Sequence, residues 1–292
     1  MNYEEMLRWI DRLAERSERL WVQRIGRSIL GREIPCLSFG EGRRSVLLVG
    51  AHHGMEHLTS ALLLRFAEEM LSVGQNASFC GVGGAYLMHT RRYFILPMLN
   101  PDGVSLALSG ISSAGILTER LLALNGGSRD FTHWQANARG VDLNHNYDAG
   151  FWTYKRLEAS FGIEGGGATR YAGEYPHSEP ETAALVALMQ SVRPDLILTL
   201  HTQGGEIYYT AGELALPRSR GVAQALARHA GYRAAIPEGA AAYGGLTDYA
   251  VSRLGIPSYT VECGRGKNPL PDDLEPEIYR EIRPLLWLAP VL

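Results

Sequence analysis

No apolar stretch in this sequence approaches the roughly 18 to 20 residues needed to cross a bilayer. Even its most apolar runs, such as Asp195 to Leu200, are bounded by charge, so the expectation is a soluble protein with no membrane partner. Cysteine is scarce. Cys36, Cys80 and Cys263 are odd in number and widely spaced, which argues against a disulfide framework or a Cys-based zinc knuckle and fits a reducing compartment. Clusters of Lys and Arg interleaved with aromatics are missing as well. With a net charge of -3 spread over mixed signs, there is no basic stripe for nucleic acid. The N-terminal segment lacks the continuous apolar centre of a signal peptide. Tyr3, Met6, Leu7, Ile10 and Leu13 recur there at helical spacing among charges, and the expected location is cytoplasmic.

What is present is enough to bury a sizeable core: 292 residues, 46% hydrophobic and 20% charged. Strand-like and helix-like stretches alternate without a long linker, repeat or low-complexity tract. This predicts one domain, residues 1–292, of the α/β class: a mixed, mostly parallel twisted sheet with helices on both faces. Trp21 to Gly42 reads as an antiparallel hairpin turning at Leu30-Gly31-Arg32. Ser45 to Val49 is a buried-type strand that runs into Gly50-Ala51-His52-His53-Gly54-Met55-Glu56-His57, and a helical pattern follows from Leu58 to Leu71. Three further strands also end in polar residues: Tyr93 to Leu99 before Asn100, Asp195 to Leu200 before His201, and Pro257 to Val261 before Glu262. Helical patterns fill Glu179 to Ser191, Arg218 to His229 and Leu246 to Leu254. In open α/β sheets, ligands bind at the carboxyl ends of the strands.

Those ends carry a candidate metal site. A hydrolytic zinc takes three ligands of the His/Glu type and keeps a fourth position open. His53 and Glu56, at positions i and i+3, form a chelating pair, and His201 at the tip of another strand supplies a third ligand. The rival register uses His52 or His57, which read instead as supporting residues. A His-x-x-Glu pair alone is equally compatible with satisfied polar side chains. Cys263 beside Glu262 reads as a small buried residue ending a strand rather than as a nucleophile.

Several separate segments resemble the zinc metallocarboxypeptidase family typified by the pancreatic carboxypeptidases, from Ser28 to about Pro271. Gly50-Ala51-His52-His53-Gly54-Met55-Glu56 is similar to that family's zinc segment. Pro97 to Gly103 and Gly140-Val141-Asp142-Leu143-Asn144 resemble its two signature loops, and Ser178-Glu179-Pro180-Glu181-Thr182 precedes the helix before the third ligand. The tail Cys263-Gly264-Arg265-Gly266-Lys267-Asn268-Pro269-Leu270-Pro271 looks like the bacterial branch that cuts γ-D-glutamyl bonds to diamino acids in cell-wall peptides.

The resemblance implies one zinc ion per chain on His53, Glu56 and His201, with Glu262 of Tyr259-Thr260-Val261-Glu262 as general acid/base. It implies an arginine that stabilises the oxyanion. Gln135 stands where other members carry it, and Arg139 is nominated instead, although a plain exposed arginine suits the segment equally. Typical members have Asn-Arg where this chain has Asn144-His145, and an imidazole cannot reproduce the bidentate grip on a free C-terminal carboxylate. Thr247, in Gly244-Gly245-Leu246-Thr247-Asp248, takes the position that sets side-chain preference. Tyr243 lies near the family's mobile tyrosine, with Ala240 at the strictly aligned position. The implied partner is a peptide, peptidoglycan-derived on this reading. A general metallocarboxypeptidase, a zinc amidohydrolase or deacylase, and a zinc-free binding protein of the same fold are the rival functions.

Overall fold

The computed structural model describes residues 1–72 and 77–292. The described residues hold ten strands: β1 (Trp21–Arg27), β2 (Glu33–Phe39), β3 (Arg44–Val49), β4 (Ser78–Phe79), β5 (Val82–Gly83), β6 (Arg91–Leu96), β7 (Leu196–His201), β8 (Glu206–Tyr208), β9 (Arg233–Ala235) and β10 (Ser258–Glu262). Eight of them form one sheet in the order β1-β2-β6-β3-β7-β10-β8-β9, and β4 and β5 pair as a separate small hairpin. β1 and β2 make the expected antiparallel entry, closed at its turn by Ser28 N–H donating to the Arg32 carbonyl at 2.8 Å. The centre, β6-β3-β7-β10, is parallel throughout.

Strands buried on both faces need apolar side chains pointing both ways. Val46, Leu48, Tyr93, Ile95, Leu198 and Leu200 join one core with the helices Tyr3–Arg16, Leu58–Ser72, Ser219–Ala230 and Glu275–Leu288. Their alternates Leu47, Val49, Phe94, Leu96 and Ile197 pack on the other face against Leu185, Leu188 and Met189 of the helix Pro180–Val192. Each such side chain contributes about 1.5–3 kcal/mol on burial, and this two-sided burial fixes the sheet between its helices.

At the carboxyl edge of that sheet, backbone bonds tie the loops together. Gly50 N–H donates to the Leu96 carbonyl at 2.9 Å, and Leu99 and Asn100 N–H donate back to Gly50 and Ala51 at 3.1 and 3.0 Å. Asn100 caps the helix Pro101–Ser109 by accepting from Gly103 N–H at 2.9 Å, while its Nδ2 donates to the carbonyls of His52 and Ala136. Gly54 lets the 50–57 loop cross that helix start, because a Cβ there would stand 2.3 Å from the Gly103 carbonyl oxygen. Among the described residues, no helix is long and apolar enough to cross a membrane.

Candidate active site

His53 caps a single 3-10 turn, Gly54–Glu56, that Glu56 ends, and the α-helix begins only at Leu58. With three residues per turn, side chains at i and i+3 lie one above the other, a tighter alignment than an α-helical turn gives. His201 ends β7 beside Glu262 of β10, its register partner in the parallel pair. His53, Glu56 and His201 each offer one ligand atom, and these atoms lie within 4.8 Å of one another. Glu56 lies between the two rings: Oε1 is 2.8 Å from His53 Nδ1 and Oε2 is 3.0 Å from His201 Nδ1.

The far side of His53 fixes what its near nitrogen can offer a cation. Its Nε2 lies 3.1 Å from Asp142 Oδ1, a fixed acceptor, so Nε2 carries the hydrogen and Nδ1 turns a lone pair toward Glu56. Two acceptors cannot face each other at 2.8 Å, so a positive charge stands between Nδ1 and the carboxylate: a proton in the free protein, a metal ion when one is bound. The electrostatics agree: burial opposes charge on His53, but Glu56 and Asp142 outweigh it and hold the imidazole well above its usual range. Burial likewise opposes charge on Glu56, yet the two imidazoles bring it down to about 2. Two imidazole nitrogens and a carboxylate, converging and demanding a cation, fit zinc.

Glu262 lines the same cavity, of about 240 Å³, with Gln135, Asn144, His145, Thr247, Asp248 and Asn268 among its other walls. Burial, then the neighbouring Glu56, pushes Glu262 up to about 8, so that near neutral pH the group can gain or shed a proton. Thr247 Oγ1 bonds to Ser258 and Thr260 hydroxyls at 3.0 and 2.8 Å, giving the cavity a polar floor.

Two nominated residues lie elsewhere. Arg139 does not line this cavity: Asn137 Oδ1 accepts its backbone N–H at 2.9 Å, and its guanidinium turns to the buried Glu179 carboxylate at 3.7 Å. Gln135 holds the cavity position instead, its Oε1 accepting from the Thr169 hydroxyl. Tyr243 packs with Ala240 against Phe151 and Tyr154, and only its backbone carbonyl serves the site, accepting from His145 Nδ1 at 2.9 Å. His52 is fully buried with its Nε2 on the Tyr147 hydroxyl at 3.1 Å, and His57 faces Asp272. Cys263 is fully buried, and burial, then Glu262, raises its thiol far from nucleophilic form.

Asp142 and Asn268 went unassigned in the sequence reading. Asp142 lies in the signature loop Gly140 to Asn144, and the need of a chelating histidine for an acceptor on its far nitrogen is the signal that points to it. Asn268 clamps the residue after His201: it accepts from Thr202 Oγ1 at 2.7 Å and donates to the Thr202 carbonyl at 2.6 Å.

The family model for zinc carboxypeptidase matches residues 6–283. Over 281 residues the chain is 31% identical to gamma-D-glutamyl-L-diamino acid endopeptidase 1 of Lysinibacillus sphaericus, covering 96% of this chain and 69% of that one. Murein peptide amidase A of Escherichia coli is 27% identical over 187 residues, covering 62% of this chain and 58% of the relative. The crystal structure of carboxypeptidase A from Helicoverpa armigera superposes with a TM-score of 0.75 at 21% identity, covering 99% of this chain and 73% of the other, a likeness of fold.

Proposed function

Because the chain belongs to the zinc carboxypeptidase family, we propose that it acts, as a single domain, on the γ-D-glutamyl bond to a diamino acid in small peptidoglycan-derived peptides. The observation that carries this reading is the convergence of His53, Glu56 and His201 in one cavity with Glu262. On this reading His53 Nδ1, the Glu56 carboxylate and His201 Nδ1 hold one zinc per chain, with Asp142 keeping His53 in the required tautomer. The ion supplies Lewis acidity toward the scissile carbonyl and the attacking water.

The remaining work falls to the protein's own groups. Glu262 takes a proton from the attacking water and passes it to the leaving nitrogen, the two transfers a carboxylate of raised pKa performs near neutral pH. Gln135 replaces Arg139 as the oxyanion donor in this proposal, because the Thr169 hydroxyl occupies its Oε1 and leaves its amide hydrogens for the cavity. Asn144, His145 and Thr247 receive the residue that follows the scissile bond. The cavity shares Tyr208 and Ala241 with a broader groove of about 720 Å³, which gives a longer peptide room to run on. The diamino acid assignment is supported by the likeness to the Lysinibacillus endopeptidase and by the replacement of the carboxylate-gripping arginine with His145.

A digest of muropeptide fragments with and without a chelator, read by mass, tests this. Cleavage between D-glutamate and the diamino acid, abolished by the chelator and restored by zinc, is the expected result. Cleavage elsewhere, or undiminished by the chelator, refutes it.

A further inference from the structure

Asn144 and His145 offer something other than a grip for a carboxylate. His145 Nδ1 lies 2.9 Å from the Tyr243 carbonyl oxygen, which only accepts, so Nδ1 carries the ring hydrogen. Tyr154 stacks on the ring at 3.8 Å between centroids and 15° between planes. Gly244, at φ +79°, packs so closely against the His145 backbone that a Cβ would stand 2.7 Å from the His145 carbonyl oxygen. The ring is thus held in one orientation. Burial lowers its pKa against the pull of Asp142, which keeps it neutral. A neutral ring protonated on Nδ1 has its lone pair on Nε2, and Nε2 makes no hydrogen bond to another described residue.

Asn144 is oriented the opposite way. Leu246 N–H donates to its Oδ1 at 3.1 Å, so its free group is the Nδ2 donor. Adjacent residues therefore place a donor and an acceptor on one wall of the cavity. A carboxylate, which only accepts, meets the Nε2 lone pair. The cavity lining contains no Arg or Lys to offset that charge. An amide, with C=O beside N–H, satisfies both groups: its oxygen accepts from Asn144 Nδ2 and its N–H donates to His145 Nε2.

Resting on the reading that this cavity takes the residue after the scissile bond, we propose that Asn144 and His145 read an amide. The enzyme then selects substrates whose diamino acid is amidated or continued by another residue over those that end there in a free carboxylate. His145 is the residue that sets this preference, in place of the arginine that would invert it.

The test compares γ-D-glutamyl-L-lysinamide with γ-D-glutamyl-L-lysine on the zinc-loaded protein. The amide is expected to have a kcat/KM about tenfold or more above the acid. His145→Arg is expected to reverse the order, and His145→Phe, which keeps the stack on Tyr154 and removes the acceptor, to bring the pair within about threefold of parity. A wild-type protein that cleaves the acid as well as or better than the amide overturns the proposal, as does a full amide preference in His145→Phe. If neither compound is cleaved, the proposed reaction falls. Calorimetric titration of L-lysinamide and L-lysine into zinc-loaded Glu262→Gln then decides the inference separately: tighter binding of the amide supports it, and equal or tighter binding of the acid overturns it.

Discussion

Asp142→Asn changes one atom and tests the logic of the metal centre most directly. Asp142 is buried at 2% exposure and accepts three N–H groups: His53 Nε2 at 3.1 Å and Asn144 N at 3.2 Å on Oδ1, and Arg170 N at 3.2 Å on Oδ2. Burial alone would raise its pKa, but the charge on His53, with the hydrogen bonds from His53 and the Arg170 N–H, outweighs burial and holds the carboxyl well below the usual carboxylate range. An asparagine has one acceptor end. With its oxygen toward His53, its NH₂ meets the Arg170 N–H, donor against donor. With the amide turned over, the NH₂ meets His53 Nε2, forces the hydrogen onto Nδ1 and removes the lone pair that faces Glu56. Either outcome weakens the site, and losing such an outer partner typically costs about 10–100-fold in metal affinity, or about 1.4–2.8 kcal/mol. Zinc affinity measured by competition with a chromophoric chelator reads this directly, and the stabilisation by added zinc in a thermal melt should shrink in parallel. A variant that binds zinc within about twofold of wild type would refute the tautomer argument, and with it the assignment of Nδ1 as the ligand atom.

Three further outcomes rest on the same geometry. Glu262→Gln is expected to keep zinc, because Glu262 lies outside the ligand triad, while kcat falls by about 100-fold or more; hydrolysis near the wild-type rate would remove Glu262 from the proton transfers. His201→Ala takes away one of three ligands and is expected to lose most zinc by elemental analysis, an unchanged metal content rejecting it as a ligand. Glu181, fully buried, is pushed up to about 8 by burial and by its acidic neighbours Asp102 and Glu179. The folded protein thus holds a proton that the unfolded chain sheds near pH 4.5, so stability falls as pH rises from there through 8. Glu181→Gln removes that titration at a fixed cost where its NH₂ meets the Ile29 or Asn137 N–H, so its stability relative to wild type should rise between pH 5 and pH 8 by on the order of a few kcal/mol. Denaturation across that range checks it, and a difference independent of pH would contradict the burial argument.

The parts of this molecule that could be read without coordinates are those governed by short-range geometry or by strand periodicity. His53 and Glu56 are three residues apart at a strand end, so one turn of backbone brings them together whatever the rest of the chain does. His201 and Glu262 are distant in sequence, but each terminates an apolar run, and parallel pairing of β7 with β10 places such termini side by side. The fold class follows from the same runs, since strands apolar at every position demand helices on both faces. The direction of Arg139 was hidden for a different reason. Its direction is set by Glu179, a buried carboxylate forty positions away that also binds Asn137 at 2.7 Å, and no local pattern in the 134–142 loop announces that pull. The protonation pattern of the cavity was equally hidden, because it depends on backbone carbonyls and N–H groups that carry no residue identity: the Tyr243 carbonyl orients His145, and Leu246 N–H orients Asn144. Sequence can show that an arginine has been replaced by a histidine. Which nitrogen of that histidine holds the hydrogen, and hence whether the pocket asks for a donor or an acceptor, is decided by the backbone folded around it.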